Sequence, residues 1–307
     1  MYSHVASCLC PPKCECNEKL LNVSCLNQNL NHIPITLNPK VRQLFLSKNR
    51  IKSISISLNV YLKLEKLSLS ANRIASIEPY AFQQSLSLRT LLLDKNQIFE
   101  VTNETFKGLN SLRTLKLSEN LIERIMCGAF RVVQMLEELD LSSNRLSRIT
   151  ESTFDGLMCL KYLSLRGNLL KTLPNFSQNL ASLMRLDLGL NFFENETQIG
   201  TRFVRLDNLK ELNLDYCQLP SFVFGVSNAK LNKLNLRGNR IAFVEKSDLA
   251  LGTRVHCVDI RDNAINCNCS WRWFQIELEN RSINCEPMYE TICANSGHKM
   301  IQLDFNS

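Results

Sequence analysis

One pattern, L-x-x-L-x-L-x-x-N-x-L with Val or Ile sometimes in place of Leu, recurs ten times along the chain. Successive copies start 22 to 26 residues apart, most often 24. Self-similarity at such a period is the sequence signature of a solenoid, in which each repeat packs only on its neighbours. The chain is therefore predicted to form one repetitive array. Its ten repeats start at Val41, Leu64, Leu88, Leu112, Leu136, Leu160, Leu183, Leu209, Leu231 and Val255.

The L-x-L segment of each repeat alternates apolar and variable residues, which predicts one short strand per repeat. Its two leucines should point into the core and the residue between them towards solvent. Successive strands are expected to stack in parallel, so that the variable residues form a continuous outer surface. Ten strands about 4.8 Å apart would give a face on the order of 45 Å long, which is large enough for a protein partner.

The asparagine of the pattern falls where the chain leaves the strand and must turn. Its amide can satisfy backbone groups that would otherwise be buried without a partner, so a structural ladder is predicted rather than a binding site. The eighth repeat carries Cys217 instead, which is read as a buried substitute. The ladder comprises Asn49, Asn72, Asn96, Asn120, Asn144, Asn168, Asn191, Asn239 and Asn263.

A phenylalanine lies eighteen residues after the first leucine in four consecutive repeats, at Phe82, Phe106, Phe130 and Phe154. Equivalent positions of a solenoid stack on one another, so these rings are predicted to form a buried column. An aromatic ligand site is the alternative.

Cysteines cluster at the two ends of the chain. Such density favours disulfides, and hence an oxidising compartment. None of the four histidines lies at ligand spacing from a cysteine pair, which argues against zinc. No metal or other cofactor is expected. The clustered cysteines are Cys8, Cys10, Cys14, Cys16 and Cys25 at one end and Cys267, Cys269, Cys285 and Cys293 at the other.

The 24-residue repeat resembles the typical class of extracellular leucine-rich repeats, as in Slit, Toll-like receptors, variable lymphocyte receptors and small proteoglycan cores. The flanks are similar too, since Cys10-PPK-Cys14-E-Cys16 resembles the N-terminal cysteine cap and Cys267-N-Cys269 the C-terminal one. The resemblance implies an α/β solenoid, a curved horseshoe with a parallel sheet on its concave face. The convex side would be mostly irregular or short-helical.

The resemblance also implies disulfides and boundaries. It pairs Cys10 with Cys16, Cys14 with Cys25 and Cys267 with Cys285, and it leaves Cys269 to pair with Cys293 or with a cysteine beyond Ser307. We expect a tail at 1–7, a cap at 8–40, ten repeats at 41–265 and a second cap at 266–307. Cys257 should face outward, where a free thiol would be unusual. No pairing is predicted for Cys127, Cys159 or Cys257, and Cys8 could pair with another chain.

Six Asn-x-Ser/Thr sequons support an extracellular location, secreted or as the ectodomain of a cell-surface protein. Neither a secretory signal nor an apolar run of about 18 residues is visible, so no membrane insertion is expected within this chain. Asn268 lies between two cysteines and is a poor acceptor. The predicted glycosylation sites are Asn22, Asn103, Asn175 and Asn195.

From the fifth repeat onward the outer strand positions mix Tyr, Arg, Asp and Glu. Tyrosine and arginine are enriched at interface hot spots, and interleaved opposite charges favour selectivity. The alternative is that these charges pair across neighbouring strands and keep the face soluble. The predicted partner-binding residues are Tyr162, Arg166, Arg185, Asp187, Asp215, Tyr216, Arg237 and Arg261.

The net charge of +7 resides entirely in residues 1–150. A basic half can attract an acidic partner, and sulfated glycosaminoglycan bound by Lys48, Lys66, Lys95 and Lys116 is one hypothesis. No run of five like charges is present, so nucleic acid is not expected.

Catalytic motifs such as Gly-x-Ser-x-Gly and His-Glu-x-x-His are missing from the sequence, and an enzyme is not expected. The leading hypothesis is an extracellular module that binds a protein ligand or receptor on its concave face. The alternatives are a matrix component that binds sulfated glycans and a receptor for microbial ligands.

Overall fold

The computed structural model describes residues 10–176, 180–222, 230–243, 257–268 and 290–302. The chain divides into two compact blocks. The N-terminal block comprises residues up to Arg145 together with Ser152–Cys159, and the C-terminal block comprises Leu146–Glu151 and the chain from Leu160 onward.

The N-terminal block contains eleven strands within its described residues. From the second onward, β2, β3, β5, β7, β9 and β11 pair in parallel in one sheet, and β1 pairs antiparallel with β2. Two small parallel sheets, β4 with β6 and β8 with β10, were not predicted. The strands are β1 (Glu15–Asn17), β2 (Asn22–Ser24), β3 (Gln43–Phe45), β4 (Ser53–Ile54), β5 (Lys66–Ser68), β6 (Ser76–Ile77), β7 (Thr90–Leu92), β8 (Glu100–Val101), β9 (Thr114–Lys116), β10 (Arg124–Ile125) and β11 (Glu138–Asp140).

The described part of the C-terminal block holds five parallel strands in register: β12 (Tyr162–Ser164), β13 (Arg185–Asp187), β14 (Glu211–Asn213), β15 (Lys233–Asn235) and β16 (Cys257–Asp259). With β3, β5, β7, β9 and β11 of the N-terminal block, each of the ten repeats contributes one strand, at its third to fifth residues. The predicted solenoid is confirmed. Short 3-10 helices occur between strands at Ile56–Val60 and Ile199–Phe203, and near the end at Met300–Gln302.

The core consists of the apolar repeat positions. The central residue of every repeat strand, from Leu44 to Val258, is at most 2% exposed. Burying one such leucine stabilises the fold by about 1.5–3 kcal/mol. Because the flanking strand residues are mostly only half-buried, the predicted alternation of inward and outward side chains is confirmed.

The asparagine ladder is confirmed as a structural feature. In the third repeat, Asn96 Nδ2 donates to the carbonyls of Leu69 and Leu93 at 3.0 Å, and its Oδ1 accepts from the amide of Ile74. Each asparagine thereby joins its own strand exit to the preceding repeat. Cys217 Sγ takes part of this role by donating to the Leu188 carbonyl at 3.2 Å, and burial raises the pKa of this thiol to about 12.

The residue before each ladder position has a positive φ in all ten repeats. Glycine fills this position at Gly167 and Gly238, whereas the other eight repeats place a side chain in the left-handed region. That conformation costs a non-glycine residue roughly 1–2 kcal/mol. The turn that presents the asparagine is therefore held by the surrounding fold rather than by local preference.

The phenylalanine column is confirmed for Phe106, Phe130 and Phe154, whose rings stack, and Phe82 is buried as predicted. Phe82, Phe106, Phe130 and Phe154 are at most 2% exposed. Ring centroids are 6.0 Å apart for Phe106–Phe130 and 6.4 Å apart for Phe130–Phe154, with interplanar angles of 13°. A buried stack of this kind leaves no room for an aromatic ligand.

At the N-terminal end, Cys10 is bonded to Cys16 and Cys14 to Cys25, as the family resemblance implies. These bonds join β1, β2 and the residues around them. The free cysteines among the described residues are Cys127, Cys159 and Cys217.

At the C-terminal end, Cys267 is bonded to Cys293. The implied pairs of Cys267 with Cys285 and of Cys269 with Cys293 are therefore wrong. Around this bond, the amide of Ala294 donates to the Ile265 carbonyl, and the Asn295 side chain exchanges hydrogen bonds with the Cys267 backbone at 3.1 and 2.8 Å. Cys257 is disulfide-bonded rather than free, and Cys8, Cys269 and Cys285 lie outside the described residues.

Candidate interaction surface

Three rows of outward residues run across the sheet of the C-terminal block. The third-position row contains Tyr162, Arg185, Glu211, Lys233 and Cys257. The fifth-position row contains Ser164, Asp187, Asn213, Asn235 and Asp259. The seventh residues of the same repeats form the seventh-position row, which contains Arg166, Gly189, Asp215, Arg237 and Arg261.

The fifth-position row is a second structural ladder. Asp187, Asn213, Asn235 and Asp259 each accept the backbone N–H two residues further on, at 3.0–3.2 Å. Asn213 Nδ2 also donates to Asp187 Oδ1 at 3.0 Å. These side chains shape the strand exits. Sequence reasoning missed this ladder, although the recurrence of Asp or Asn at one position of the repeat was the available signal.

Arg166 and Asp215 form a bridge that spans two repeats. The guanidinium donates to both carboxylate oxygens, with Nη1–Oδ1 at 2.5 Å and Nη2–Oδ2 at 3.0 Å. The bridge passes over Gly189, where an added Cβ would lie 1.9 Å from Asp215 Oδ1. The hydrogen bond to Asp215 raises the pKa of Arg166, which keeps the guanidinium charged.

Asp187 lies beside this bridge, with Oδ1 3.6 Å from Arg166 Nη1. Burial raises the pKa of its carboxyl, and the Gly189 amide and the Arg166 charge oppose that rise. Two carboxylates therefore share one guanidinium in a half-buried setting. This arrangement fixes the three side chains rather than leaving them free for a partner.

Tyr216 spans two repeats in the same way. Its ring lies over Gly238, where an added Cβ would be 2.3 Å from the ring, and its hydroxyl donates to Asp262 Oδ2 at 3.1 Å. Arg237 Nε also donates to Asp262, at 2.7 Å, and this hydrogen bond is the main reason that the pKa of Asp262 is lowered. Arg261 donates to Asp259 and to Glu290.

The predicted partner-binding residues therefore fall into two sets. Arg166, Asp187, Asp215, Tyr216, Arg237 and Arg261 have partners within the block, as the alternative hypothesis of internal pairing expected. Tyr162 and Arg185 belong to the third-position row, where Arg185 lies 3.3 Å from Glu211 but keeps 62% of its side chain exposed. Lys233, also 62% exposed, belongs to the same row and was missed by the sequence analysis.

The third- and fifth-position rows line a shallow depression of about 390 Å³. Charge alternates along its rim, because Glu211 lies between Arg185 at 3.3 Å and Lys233 at 4.0 Å. Tyr162 and the disulfide-bonded Cys257 also line it. Exposed cations and an aromatic ring therefore lie at the rim of the depression. The polar groups of its floor, the fifth-position row, mostly form hydrogen bonds within the protein.

The four lysines of the glycan hypothesis lie in the N-terminal block in different surroundings. Lys116 pairs with Glu138 and lies 3.6 Å from Asp140, and Lys95 lies 3.3 Å from Glu119. Lys66 lies 5.5 Å from the centre of the Phe45 ring. Lys48 is exposed, and no described carboxylate lies within ion-pair distance of Lys48 or Lys66.

Three of the four predicted glycosylation sites are exposed, namely Asn103, Asn175 and Asn195. Asn175 Oδ1 accepts a hydrogen bond from Arg202 at 3.2 Å. Asn22 differs, because it belongs to β2 and its Oδ1 is buried without a hydrogen-bond partner.

Within the described ranges, no group of three or more His, Cys, Asp or Glu side chains has the arrangement of a metal site. The helices described there are all too short or too polar to cross a membrane.

A parallel solenoid with an asparagine ladder defines the class of leucine-rich-repeat proteins. The family model described as Leucine rich repeat matches residues 39–98, 62–122, 86–146 and 134–193. These matches together span 39–193, just over half of the chain, and the chain therefore belongs to the leucine-rich-repeat family.

Similar proteins cover only part of the chain. Trophoblast glycoprotein of Macaca fascicularis is 34% identical over 84 residues, which are 26% of this chain and 20% of that protein. Oligodendrocyte-myelin glycoprotein of Homo sapiens is 34% identical over 70 residues, 23% of this chain and 16% of that protein. Leucine-rich repeat-containing protein 3B of Bos taurus is 42% identical over 82 residues, 26% of this chain and 31% of that protein.

The match thus covers less than a third of the length of each of these relatives. Among solved structures, TLR13 in the crystal structure of the TLR13–ssRNA13 complex matches 88% of this chain and 54% of its own. The TM-score is 0.50 and the identity 20%, a likeness that shows the fold alone.

Proposed function

We propose that this chain is an extracellular protein-recognition module, the ectodomain of a receptor or adhesion protein or a secreted ligand. Its partner binds to the third-position row of the C-terminal block. The observation that carries the proposal is the exposure of Arg185 and Lys233 beside Tyr162, above a depression of about 390 Å³.

The fifth-position row, which forms the floor of the depression, supports this proposal. Because Asp187, Asn213, Asn235 and Asp259 are tied to the backbone, the floor is ordered before a partner arrives. Ordering one flexible side chain on binding costs about 0.5–1.5 kcal/mol, and this cost is avoided for the floor. Alternating charges at the rim favour a partner whose own charges alternate at a matching spacing.

An extracellular location is supported by the disulfides at both ends and by the exposed sequons. Two of the relatives are named as glycoproteins, trophoblast glycoprotein and oligodendrocyte-myelin glycoprotein. No catalytic role is proposed, because the depression is shallow and its carboxylates are tied to guanidinium or backbone groups.

The test is a screen of the secreted, glycosylated chain against a panel of extracellular protein ectodomains, followed by variants. We expect the double variant Arg185→Glu, Lys233→Glu to weaken binding to any partner found by at least ~10-fold, because both exposed cations of the row are reversed. Binding constants are measured by surface plasmon resonance.

Arg124→Glu is the matched control, because Arg124 is 70% exposed but lies on β10, which pairs only with β8 in a separate small sheet of the other block. Binding should not change in this variant. Unchanged binding in the double variant would show that the partner uses another surface.

Sulfated glycan is a second candidate ligand, because all of the excess positive charge lies in residues 1–150. Lys48 and Lys66 are the better candidates for binding sulfate groups, because Lys95 and Lys116 already have carboxylate neighbours. Heparin affinity chromatography tests it with Lys48→Gln and Lys66→Gln. The hypothesis is wrong if the salt concentration needed for elution is the same with and without these substitutions.

A further inference from the structure

A depression with a mixed apolar and polar lining lies in the N-terminal block, and none of its lining residues belongs to β2, β3, β5, β7, β9 or β11. It has a volume of about 580 Å³, and its apolar lining includes Ile77, Pro79, Phe99 and Met126. Phe99 is 41% and Met126 50% exposed. Two large apolar side chains are therefore exposed together in one depression.

The sequon residue Asn103 is itself exposed and lines this depression. It follows β8 in a tight turn in which the Thr102 amide donates to Thr105 Oγ1 at 2.9 Å. The two threonine hydroxyls are 3.1 Å apart, and Thr105 is 5% exposed. The turn therefore fixes the backbone on both sides of Asn103 next to the apolar lining.

We propose that an N-linked glycan on Asn103 occupies this depression, with its first N-acetylglucosamine against Phe99 and Met126. A pyranose ring has an apolar C–H face and a polar rim, so it fits an apolar floor bordered by polar groups. The lining includes both kinds of group, with Phe99 and Met126 among its apolar residues and Glu100, Thr102 and Glu104 among its polar ones.

The size and the attachment suit this occupant. Ligand sites commonly measure about 300–1,000 Å³, and this depression falls within that range. A sugar attached to a lining residue is present at high effective concentration, so weak contacts suffice to hold it. The glycan would then cover apolar surface that otherwise faces water.

The proposal depends on glycosylation at Asn103 and is independent of partner binding by the C-terminal block. The two proposals can fail separately. The glycan proposal is tested by the occupancy of Asn103 and by methionine oxidation, whereas the proposed function is tested by binding constants.

The experiment is oxidation of the glycosylated chain, secreted from mammalian cells, by dilute hydrogen peroxide. Mass spectrometry gives the occupancy of Asn103 and the oxidation rate of each methionine. Met158 and Met135, which are 64% and 44% exposed in the same block, are internal references. We expect Met126 to oxidise at least ~5-fold more slowly than Met158, because thioether oxidation follows exposure.

Removal of the glycan should reverse this protection. Met126 should oxidise as fast as the references in Asn103→Gln and after enzymatic release of the glycan from the folded protein. The second arm keeps the test valid if the variant folds poorly. Asn195→Gln is the matched control, since Asn195 is an exposed sequon in the other block, and it should leave the Met126 rate unchanged.

Trimming every glycan to a single N-acetylglucosamine should preserve the protection, since the first sugar is the group in contact. The proposal is overturned if Asn103 is unoccupied, if Met126 oxidises equally fast with and without the glycan, or if trimming alone removes the protection.

Discussion

Gly189 decides whether Arg166 can reach Asp215, because it is the residue between them on the seventh-position row. Any side chain at this point would collide with the bridge, since an added Cβ would lie 1.9 Å from Asp215 Oδ1 and 2.2 Å from Arg166 Nη1. Its φ is not in the positive range, so glycine is required here for space alone. Gly238 serves Tyr216 in the same way and adds a positive φ.

We therefore expect Gly189→Ala to lower the free energy of unfolding by about 1–3 kcal/mol, through loss of a half-buried ion pair. Asp187, which lies 3.6 Å from the same guanidinium, would lose part of this favourable charge interaction as well. The measurement is urea unfolding followed by circular dichroism. Ser118→Ala is the control, because Ser118 holds the same position in the fourth repeat, and it should change stability by less than about 0.5 kcal/mol. Equal effects of the two substitutions would refute the role of Gly189.

Asp187 gives a prediction about pH. Burial raises the pKa of its carboxyl in the folded state, so the folded chain holds this proton more tightly than the unfolded chain does. The stabilising contribution of the protonated form is therefore present below the unfolded pKa of about 3.9 and is lost as pH rises through the folded pKa.

Asp187→Asn keeps the acceptor for the Gly189 amide, as Asn213 and Asn235 do in their repeats, and has no charge to titrate. The stability of wild type relative to this variant should fall as pH rises above about 4 and through the raised pKa of Asp187. Thermal unfolding at intermediate pH values measures it. If the stability difference between wild type and Asp187→Asn stays constant with pH, the raised pKa of Asp187 is contradicted. The same holds if wild type becomes relatively more stable as pH rises.

At the scale of the element, each repeat is a short strand followed by a turn whose polar groups are satisfied by the next repeat. The asparagine ladder joins strand exits, the fifth-position row binds the backbone that follows four strands of the C-terminal block, and the phenylalanine column is buried in the N-terminal block. Single strands of three residues have little stability alone. Stacking is what stabilises them, so a defect in one repeat should weaken its neighbours as well.

The phenylalanine column allows this dependence to be measured. Phe130→Ala removes a ring stacked on both Phe106 and Phe154, and the loss should be about 3–5 kcal/mol. Phe99→Ala is the control, because Phe99 is 41% exposed and lies outside the column, and it should lose less than about 1 kcal/mol. Denaturant unfolding of the two variants distinguishes them, and similar losses would show that the column contributes no special packing.

At the scale of the whole molecule, the repeat period predicts most of the fold because each apolar position is filled in nearly every copy. The same period predicts the buried asparagines and phenylalanines, since equivalent residues meet equivalent neighbours. The bridges over Gly189 and Gly238 could not be predicted in this way. They join residues 49 and 46 positions apart and depend on one missing side chain, which a periodic pattern does not reveal.

The candidate site was predictable only in outline for the same reason. Row membership follows from the repeat, but which charged side chains stay exposed depends on hydrogen bonds within and between the rows. Arg185 remains exposed, whereas Arg166 is engaged by Asp215, although both are arginines in neighbouring repeats. The bond between Cys267 and Cys293 departs from the family rule for cysteine order, and the repeat period could not predict it because it lies beyond the last repeat.

The left-handed residue before each ladder position has an evolutionary consequence. Eight repeats keep a side chain there, among them Lys48, Leu190 and Tyr216, and glycine would relieve the strain at each by up to about 1 kcal/mol. A lineage can therefore adjust stability and surface chemistry against each other at one position per repeat without altering the core. Glycine suits a repeat in which the turn must be free of strain. A charged or aromatic residue suits a repeat in which this side chain contacts a neighbouring repeat or a partner.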